Sequence, residues 1–246
     1  MPLISRIPRI LHQTGSQAAL PEEVAQHVQK LKVQNPGWRY EFYDDNACDD
    51  FIRKNYDPRI QKAYHRINPL YGAARADFFR YLLIYRTGGV YLDLKSGLTK
   101  RLDDIVSGHE YLLSHWDNGR EGTHPGWGAH FKNFPQGEFQ QWYVASVPGH
   151  VFLRAVIEWV LNNIENYTVD RFGVGSAGVL HTTGPVPYTL AIAPLLKNAK
   201  YHLQRTNYQM GFVHNALGVE YRKLINDESR PHYSKLEEPV VLPPLN

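Results

Sequence analysis

A single cysteine, Cys48, occurs in the 246 residues of this chain. No intramolecular disulfide can form, and thiolates for a structural zinc are missing, so an apolar core has to hold the fold together. Cys48 itself reads as a small buried hydrophobe. Long runs of one charge are also missing: 27 Lys and Arg against 24 Asp and Glu leave a formal net charge of +3, spread in both signs. That balance argues against nucleic acid as a partner. No apolar run is long enough to cross a membrane, and the opening MPLISRIPRILHQ lacks the apolar stretch of a signal peptide. With the leading Met, the expectation is a cytoplasmic protein of a bacterial or viral type, at most peripheral at a membrane. Asn166-Tyr167-Thr168 then reads as a chance glycosylation pattern. Neither G-x-S-x-G nor G-x-x-x-x-G-K occurs, which speaks against a serine hydrolase or a P-loop enzyme.

What the chain does contain is concentrated between Asn68 and Gly97. Asn68 and Pro69 suit a helix cap and first helical position, and Gly88-Gly89 suit its end. Ala74, Phe78, Leu82 and Tyr85 recur at helical spacing and predict an apolar stripe. From Val90 to Lys95 the alternation predicts a strand with Leu92 and Leu94 on one face and Tyr91, Asp93 and Lys95 on the other. An acid and a base would thus share one side of a strand end.

The surrounding pattern is that of an α/β protein. Ile7 to Gln13 reads as a buried strand broken by Thr14-Gly15-Ser16, Leu20 to Lys32 as an amphipathic helix, and Trp38 to Tyr43 as a second strand. Asp44 offers a cap for the helix beginning near Ala47. Strand, helix, strand in this order builds a parallel pair, and ligands collect beyond the carboxyl ends of such strands. Further strands are expected at Tyr111 to Ser114, Gln141 to Val147 and Tyr201 to Thr206, with a long helix over Val151 to Ile164. Between Trp116 and Gln136 the chain is rich in Gly, Asn, His and aromatics without any period, and such long segments tend to be functional.

Ala-Arg-Ala-Asp-Phe-Phe-Arg, a helix, and then Gly-Gly-Val-Tyr-Leu-Asp resembles the signature of the family 32 retaining glycosyltransferases, the DXD sugar-binding group that includes the yeast initiating mannosyltransferase. It is also similar to the core of the clostridial glucosylating toxins. The resemblance implies a GT-A fold: one α/β domain over residues 1–246, with a central, mostly parallel sheet flanked by helices. Residues 1–110 would form the nucleotide-sugar half and 111–246 the acceptor side with a closing C-terminal segment. It further implies that Asp77 and Arg80 hold donor-sugar hydroxyls, with Arg75 as a further donor contact, that Tyr91 lines the nucleotide pocket, and that Asp93 is the first acid of the DXD element. His12 and Gln13, ending the first strand, become donor-side candidates. Thr182-Thr183-Gly184-Pro185 resembles a family Thr-Gly-Pro element, a helix start with exposed amides, which makes Thr183 an acceptor-side candidate beside His124, Trp127 and His130.

One departure changes the chemistry. Where the family has a second acid to ligate a divalent ion, this chain has Lys95. A charged lysine cannot ligate a metal, but its ammonium can sit against phosphate oxygens. Two readings follow: Lys95 replaces the ion's charge, or Mn2+ or Mg2+ is held by Asp93 with a distant ligand and Lys95 assists. His232 is the nearest match to the family's C-terminal histidine, with His214 second. The implied activity is retaining transfer of a sugar from a UDP- or GDP-linked donor to a hydroxyl of a glycan or lipid-linked acceptor, with Asp93 and Lys95 as catalytic residues. The alternative is a degenerate protein that binds nucleotide sugar without transferring it.

Overall fold

The computed structural model describes residues 7–16, 19–129, 131, 134, 136–218 and 232–244. The N-terminal half runs β1 (Ile10–Thr14), α1 (Glu22–Gln34), β2 (Arg39–Tyr43), α2 (Asp45–Asn55), α3 (Pro58–Arg66), α4 (Gly72–Thr87), β3 (Gly89–Leu92), β4 (Gly97–Leu98), α5 (Leu102–Val106) and β5 (Leu112–His115). It continues with β6 (Tyr143–Ser146), α6 (Val151–Glu165), α7 (Val169–Phe172), α8 (Gly175–Thr182), α9 (Pro185–Ile192), β7 (His202–Thr206), α10 (Asn207–Met210) and β8 (Phe212–Val213). Local signals fix several of these. Asp44 caps α2 by accepting from the Ala47 amide, and Asp57 with Pro58 opens α3. Val24, Val28 and Leu31 are the buried face of α1, as the periodicity requires.

The central sheet has the order β2-β1-β3-β6. β1 is parallel to both β2 and β3, and β6 pairs antiparallel with β3. The expected mostly parallel α/β sheet flanked by helices is therefore what forms. The carboxyl ends of β1, β2 and β3 lie along one edge, at Thr14, Tyr43 and Leu92. Two smaller sheets, β4 with β8 and β5 with β7, stand beyond it.

Three local expectations are corrected. Asn68 does not cap α4: the helix starts at Gly72, while Asn68 accepts from Leu70 N and donates to Pro239 O, pinning the chain's late segment to the turn before α4. Nor does α4 carry a single apolar stripe. It packs on α2, α3, α6 and α8 as well as on β3 and β6, so Phe78, Phe79, Tyr81, Leu82, Leu83 and Ile84 are all buried, and Tyr85 is not. Asp77 and Arg80 are carried into the interior with them, each 4% exposed. Finally, β3 ends at Leu92. Ser96 N donates to Asp93 O at 2.8 Å, turning the chain, and the side chains part company. Leu92 joins Leu11, Ile105 and Phe212, whereas Leu94 packs with Val24 and Val28. A period-two strand through Lys95 cannot do both.

The junction of α4 and β3 needs its glycines. Gly88 and Gly89 have φ of +65° and +100°. A Cβ on Gly89 would lie 2.7 Å from the Ile10 carbonyl oxygen, on the neighbouring strand.

Candidate active site at the carboxyl end of the parallel strands

Because α4 is buried from Asp77 to Ile84, the two charged residues of that stretch must be paired. Arg80 does this completely. Its Nε donates to Ala76 O, Nη1 to Gln141 O at 2.8 Å and Gln141 Oε1 at 2.6 Å, and Nη2 reaches Asp77 Oδ1 and Asp93 Oδ1, both at 3.2 Å. Nε and Nη1 are thus hydrogen-bonded, and Nη2 is ion-paired with both carboxylates. Its plane also lies over the Tyr91 ring, 4.7 Å from the centroid. Tyr91, 1% exposed, bonds Thr14 at 2.8 Å and Asp93 Oδ1 at 3.3 Å through its hydroxyl. Asp77 accepts from Gln141 Nε2 at 3.1 Å and from Thr183 Oγ1 at 3.2 Å. Burial lifts the Asp77 carboxyl to about 6 against the pull of Arg80. Asp93 is the outer member, with its side chain 23% exposed.

Beyond Asp93 the turn presents Lys95, half-buried and without an ion-pair partner among the described residues. Asp93 N donates to Trp142 O at 2.9 Å, so β6 holds the turn from one side. The chain after β8 holds it from the other: Ser96 Oγ donates to His214 O at 2.6 Å and Ala216 N to Lys95 O at 2.8 Å. The His214 ring is boxed by aromatics, 4.9 Å from Trp116, 5.2 Å from Trp142 and 5.8 Å from Trp127. Burial and the nearby Lys95 charge push it down to about 3, so this imidazole is neutral at physiological pH. Trp142 Nε1 is buried with no acceptor among the described residues.

The sequence-expected residues divide accordingly. Asp77, Arg80, Tyr91 and Asp93 form one connected network, and Lys95 follows it in the same turn. His124 and Trp127, from the aperiodic segment, reach the same place through His214. The others lie elsewhere. His12 and Gln13 are wholly buried behind the site: His12 bonds Gly88 O and Tyr43, and Gln13 bonds Tyr40 and the carbonyls of Leu92 and Asp93. They brace the strand ends and present nothing to solvent. Burial pushes His12 down to about 4. Arg75 points to α2 and α3, bonding Asp49 at 2.9 Å and lying over Tyr64. Thr183 is fully buried, and the amides of Thr183 and Gly184 both donate to Val179 O. It positions Asp77 from a place closed to solvent. His232 is exposed and caps the turn Tyr233–Lys235 by accepting from Ser234 N. His130 lies outside the described residues. Among those described, no group of three or more His, Cys, Asp or Glu could hold a metal ion, and no helix is long and apolar enough to cross a membrane.

Sequence reasoning missed Gln141, Trp116 and Trp142. Gln141 reads as an ordinary first residue of a strand, and only the fold shows its amide bridging Arg80 and Asp77. Trp116, just after β5, and Trp142, just before β6, are far apart in sequence, and only the fold brings both against the His214 ring that follows β8.

The chain resembles proteins that are already known. Residues 21–112, a span that contains the whole Asp77–Lys95 segment, match the profile of the family described as "Glycosyltransferase sugar-binding region containing DXD motif". The chain is 28% identical over 201 residues to the initiation-specific alpha-1,6-mannosyltransferase of Candida albicans, covering 73% of this chain and 50% of that one. It is 28% identical over 175 residues to a mannosyl phosphorylinositol ceramide synthase of Saccharomyces cerevisiae, covering 71% and 41%. The chain thus spans about half the length of the curated relatives it matches, or somewhat less. Among solved structures, the PaToxG glycosyltransferase superposes with a TM-score of 0.56 at 14% identity, covering 78% of this chain and 70% of that one. The resemblance to the DXD sugar-binding glycosyltransferases, and the GT-A-type fold it implied, both hold.

Proposed function

We propose that this chain is a retaining glycosyltransferase that moves a sugar from a UDP- or GDP-linked donor to a hydroxyl of a glycan or lipid-linked acceptor. The observation that carries the reading is the turn Asp93 to Lys95, set at the carboxyl ends of the parallel strands and anchored on a buried arginine. Mannosyltransferases acting at an initiating glycan step and on an inositol phosphoceramide head group, as its relatives are named, favour a mannosyl donor.

The chemical demand is to stabilise a departing nucleoside diphosphate, which is met by fixed charge rather than by a nucleophile. Lys95 supplies that charge as a point cation against the diphosphate oxygens. Arg80 holds Asp93 in place through Nη2 and adds its field, while its Nη1, which donates to Gln141, is the donor a sugar hydroxyl would meet. Gln141 accepts from Arg80 and donates to Asp77, the hydrogen-bond pattern that two neighbouring hydroxyls of a donor sugar can reproduce. Donor hydroxyls therefore take over the half-buried Gln141 amide's partners on binding. Among the described residues a divalent ion would find Asp93 as the partly exposed carboxylate of this network, with Oδ1 already ion-paired with Arg80 and accepting from Tyr91, and a lysine in the same turn. That donor set suits a cation supplied by the protein.

Turnover of a panel of UDP- and GDP-sugars, each with manganese and with EDTA, tests the reading in the wild type and in Lys95→Asp. Activity that survives EDTA and that Lys95→Asp abolishes, or makes metal-dependent, is expected. Activity lost in EDTA would overturn the role given to Lys95. Donor binding without turnover of any donor would replace transfer by nucleotide-sugar binding alone.

A further inference from the structure

The segment after β5 exposes aromatic rings next to the Lys95 turn and is built to keep them there. Trp127 is 50% exposed and Tyr208, on α10, is 38% exposed. Between them the half-buried His124 ring lies 4.8 Å from Trp127 and 6.4 Å from Tyr208, nearly parallel to the latter at 22°. Trp116 underlies the group, 5.0 Å from His124 and 5.1 Å from Trp127, with its indole N–H donated to Glu138 at 2.9 Å. The loop that carries Trp127 is tied together by hydrogen bonds within itself. Asp117 accepts from Thr123 N through Oδ2 and from His124 N through its carbonyl, and Asn118 donates from Nδ2 to Trp127 O at 2.9 Å and accepts from Gly126 N through its carbonyl. An indole is costly to leave in water, and this one is held open by a framework of hydrogen bonds.

We propose that these rings are a binding platform for a hydroxylated six-membered ring, a pyranose or a cyclitol, which is the acceptor. The inference rests on the transfer reading for the word acceptor, but not for the binding itself. A pyranose or cyclitol has flat C–H faces that pack on an indole and a rim of hydroxyls that need neutral hydrogen-bonding partners. His124 and His214 stand at the edge of the platform as such partners, with His214 backbone-bonded to the donor-side turn. A ring stacked on Trp127 is thereby next to Lys95, where the incoming hydroxyl has to be.

Intrinsic tryptophan fluorescence of the full chain, titrated with methyl α-pyranosides of mannose, glucose and galactose, with myo-inositol, and with open-chain sorbitol, tests this. Saturable changes with one or more ring compounds and none with sorbitol are expected. Trp127→Ala should weaken ring binding at least tenfold, Trp127→Tyr should retain most of it, and Trp159→Ala, an exposed tryptophan on the outside of α6, should leave it unchanged. A response to myo-inositol alone assigns the platform to a cyclitol, and one to pyranosides alone assigns it to a sugar. An equal response to sorbitol, no saturable response to any ring, or unchanged affinity in a folded Trp127→Ala would overturn the proposal. Donor turnover is measured on the same wild-type sample, so ring binding without turnover leaves the platform standing and refutes the transfer reading instead.

Discussion

Nη2 of Arg80 lies 3.2 Å from Oδ1 of Asp93. Through this one contact the buried helix α4 fixes the turn that follows β3, and the outer carboxylate of the site is held by a residue that solvent hardly reaches. Arg80 →Met keeps the length of the side chain but leaves Asp77 and Asp93 without their cation. Breaking a buried pair by removing one partner costs about 3–5 kcal/mol. A urea midpoint lowered accordingly is expected, with part of the loss recovered in Arg80→Met combined with Asp77→Asn. A wild-type midpoint in the single variant would show that the network does not stabilise the fold.

Lys95 differs from Arg80 in having no ion-pair partner among the described residues, so its removal should cost chemistry more than stability. Lys95→Ala is expected to lower kcat for donor turnover by about 10²–10³-fold, the range seen when one fixed electrostatic donor is lost. Thermal melting should move little. Lys95→Arg keeps the charge but replaces a point cation by a planar fork, and should recover part of the rate. Steady-state kinetics of the three proteins decide it.

Gly89→Ala should be among the most damaging single-methyl changes in the chain. Its φ of +100° disfavours any L side chain, and the added Cβ would sit 2.7 Å from the Ile10 carbonyl oxygen. Strain of this kind costs on the order of 1–3 kcal/mol before the clash is counted. Chemical denaturation of the purified variant, or its failure to accumulate in soluble form beside Gly119→Ala as an exposed-loop control, checks the expectation.

His12 makes stability depend on acid. Its folded value of about 4, against 6.5 for the free side chain, means that the unfolded chain takes up a proton first as pH falls. Stability is therefore lost between about 6.5 and 4, by roughly 3 kcal/mol at most. Asp77 and Glu138, raised to about 6 and about 7 by burial, act in the opposite sense because the fold takes up their protons first. The wild-type curve is thus the sum of opposing slopes. His12→Gln removes one of them, and its melting temperature should fall less steeply from pH 6.5 to 4. Equal slopes would exclude His12 as the source.

The legible part of this protein is local. Asp44 before α2, the period of Val24, Val28 and Leu31, and the Gly88-Gly89 pair each act within a few residues, where sterics and a single hydrogen bond decide the backbone. Asp77, Arg80, Asp93 and Lys95 could be picked out because they sit close together in one segment of recognisable type. The tertiary structure decided everything that depended on which surfaces meet. Covering α4 on all sides turned its expected stripe into a buried rod and made Arg80 an anchor between Asp77 and Asp93. The same packing sealed His12, Gln13 and Thr183 away from solvent, drew Arg75 toward Asp49, and brought Gln141, Trp142 and His214 from distant positions to the Asp93 turn. A side chain's chemistry is written in the sequence, but its access to solvent and its partners are set by long-range packing.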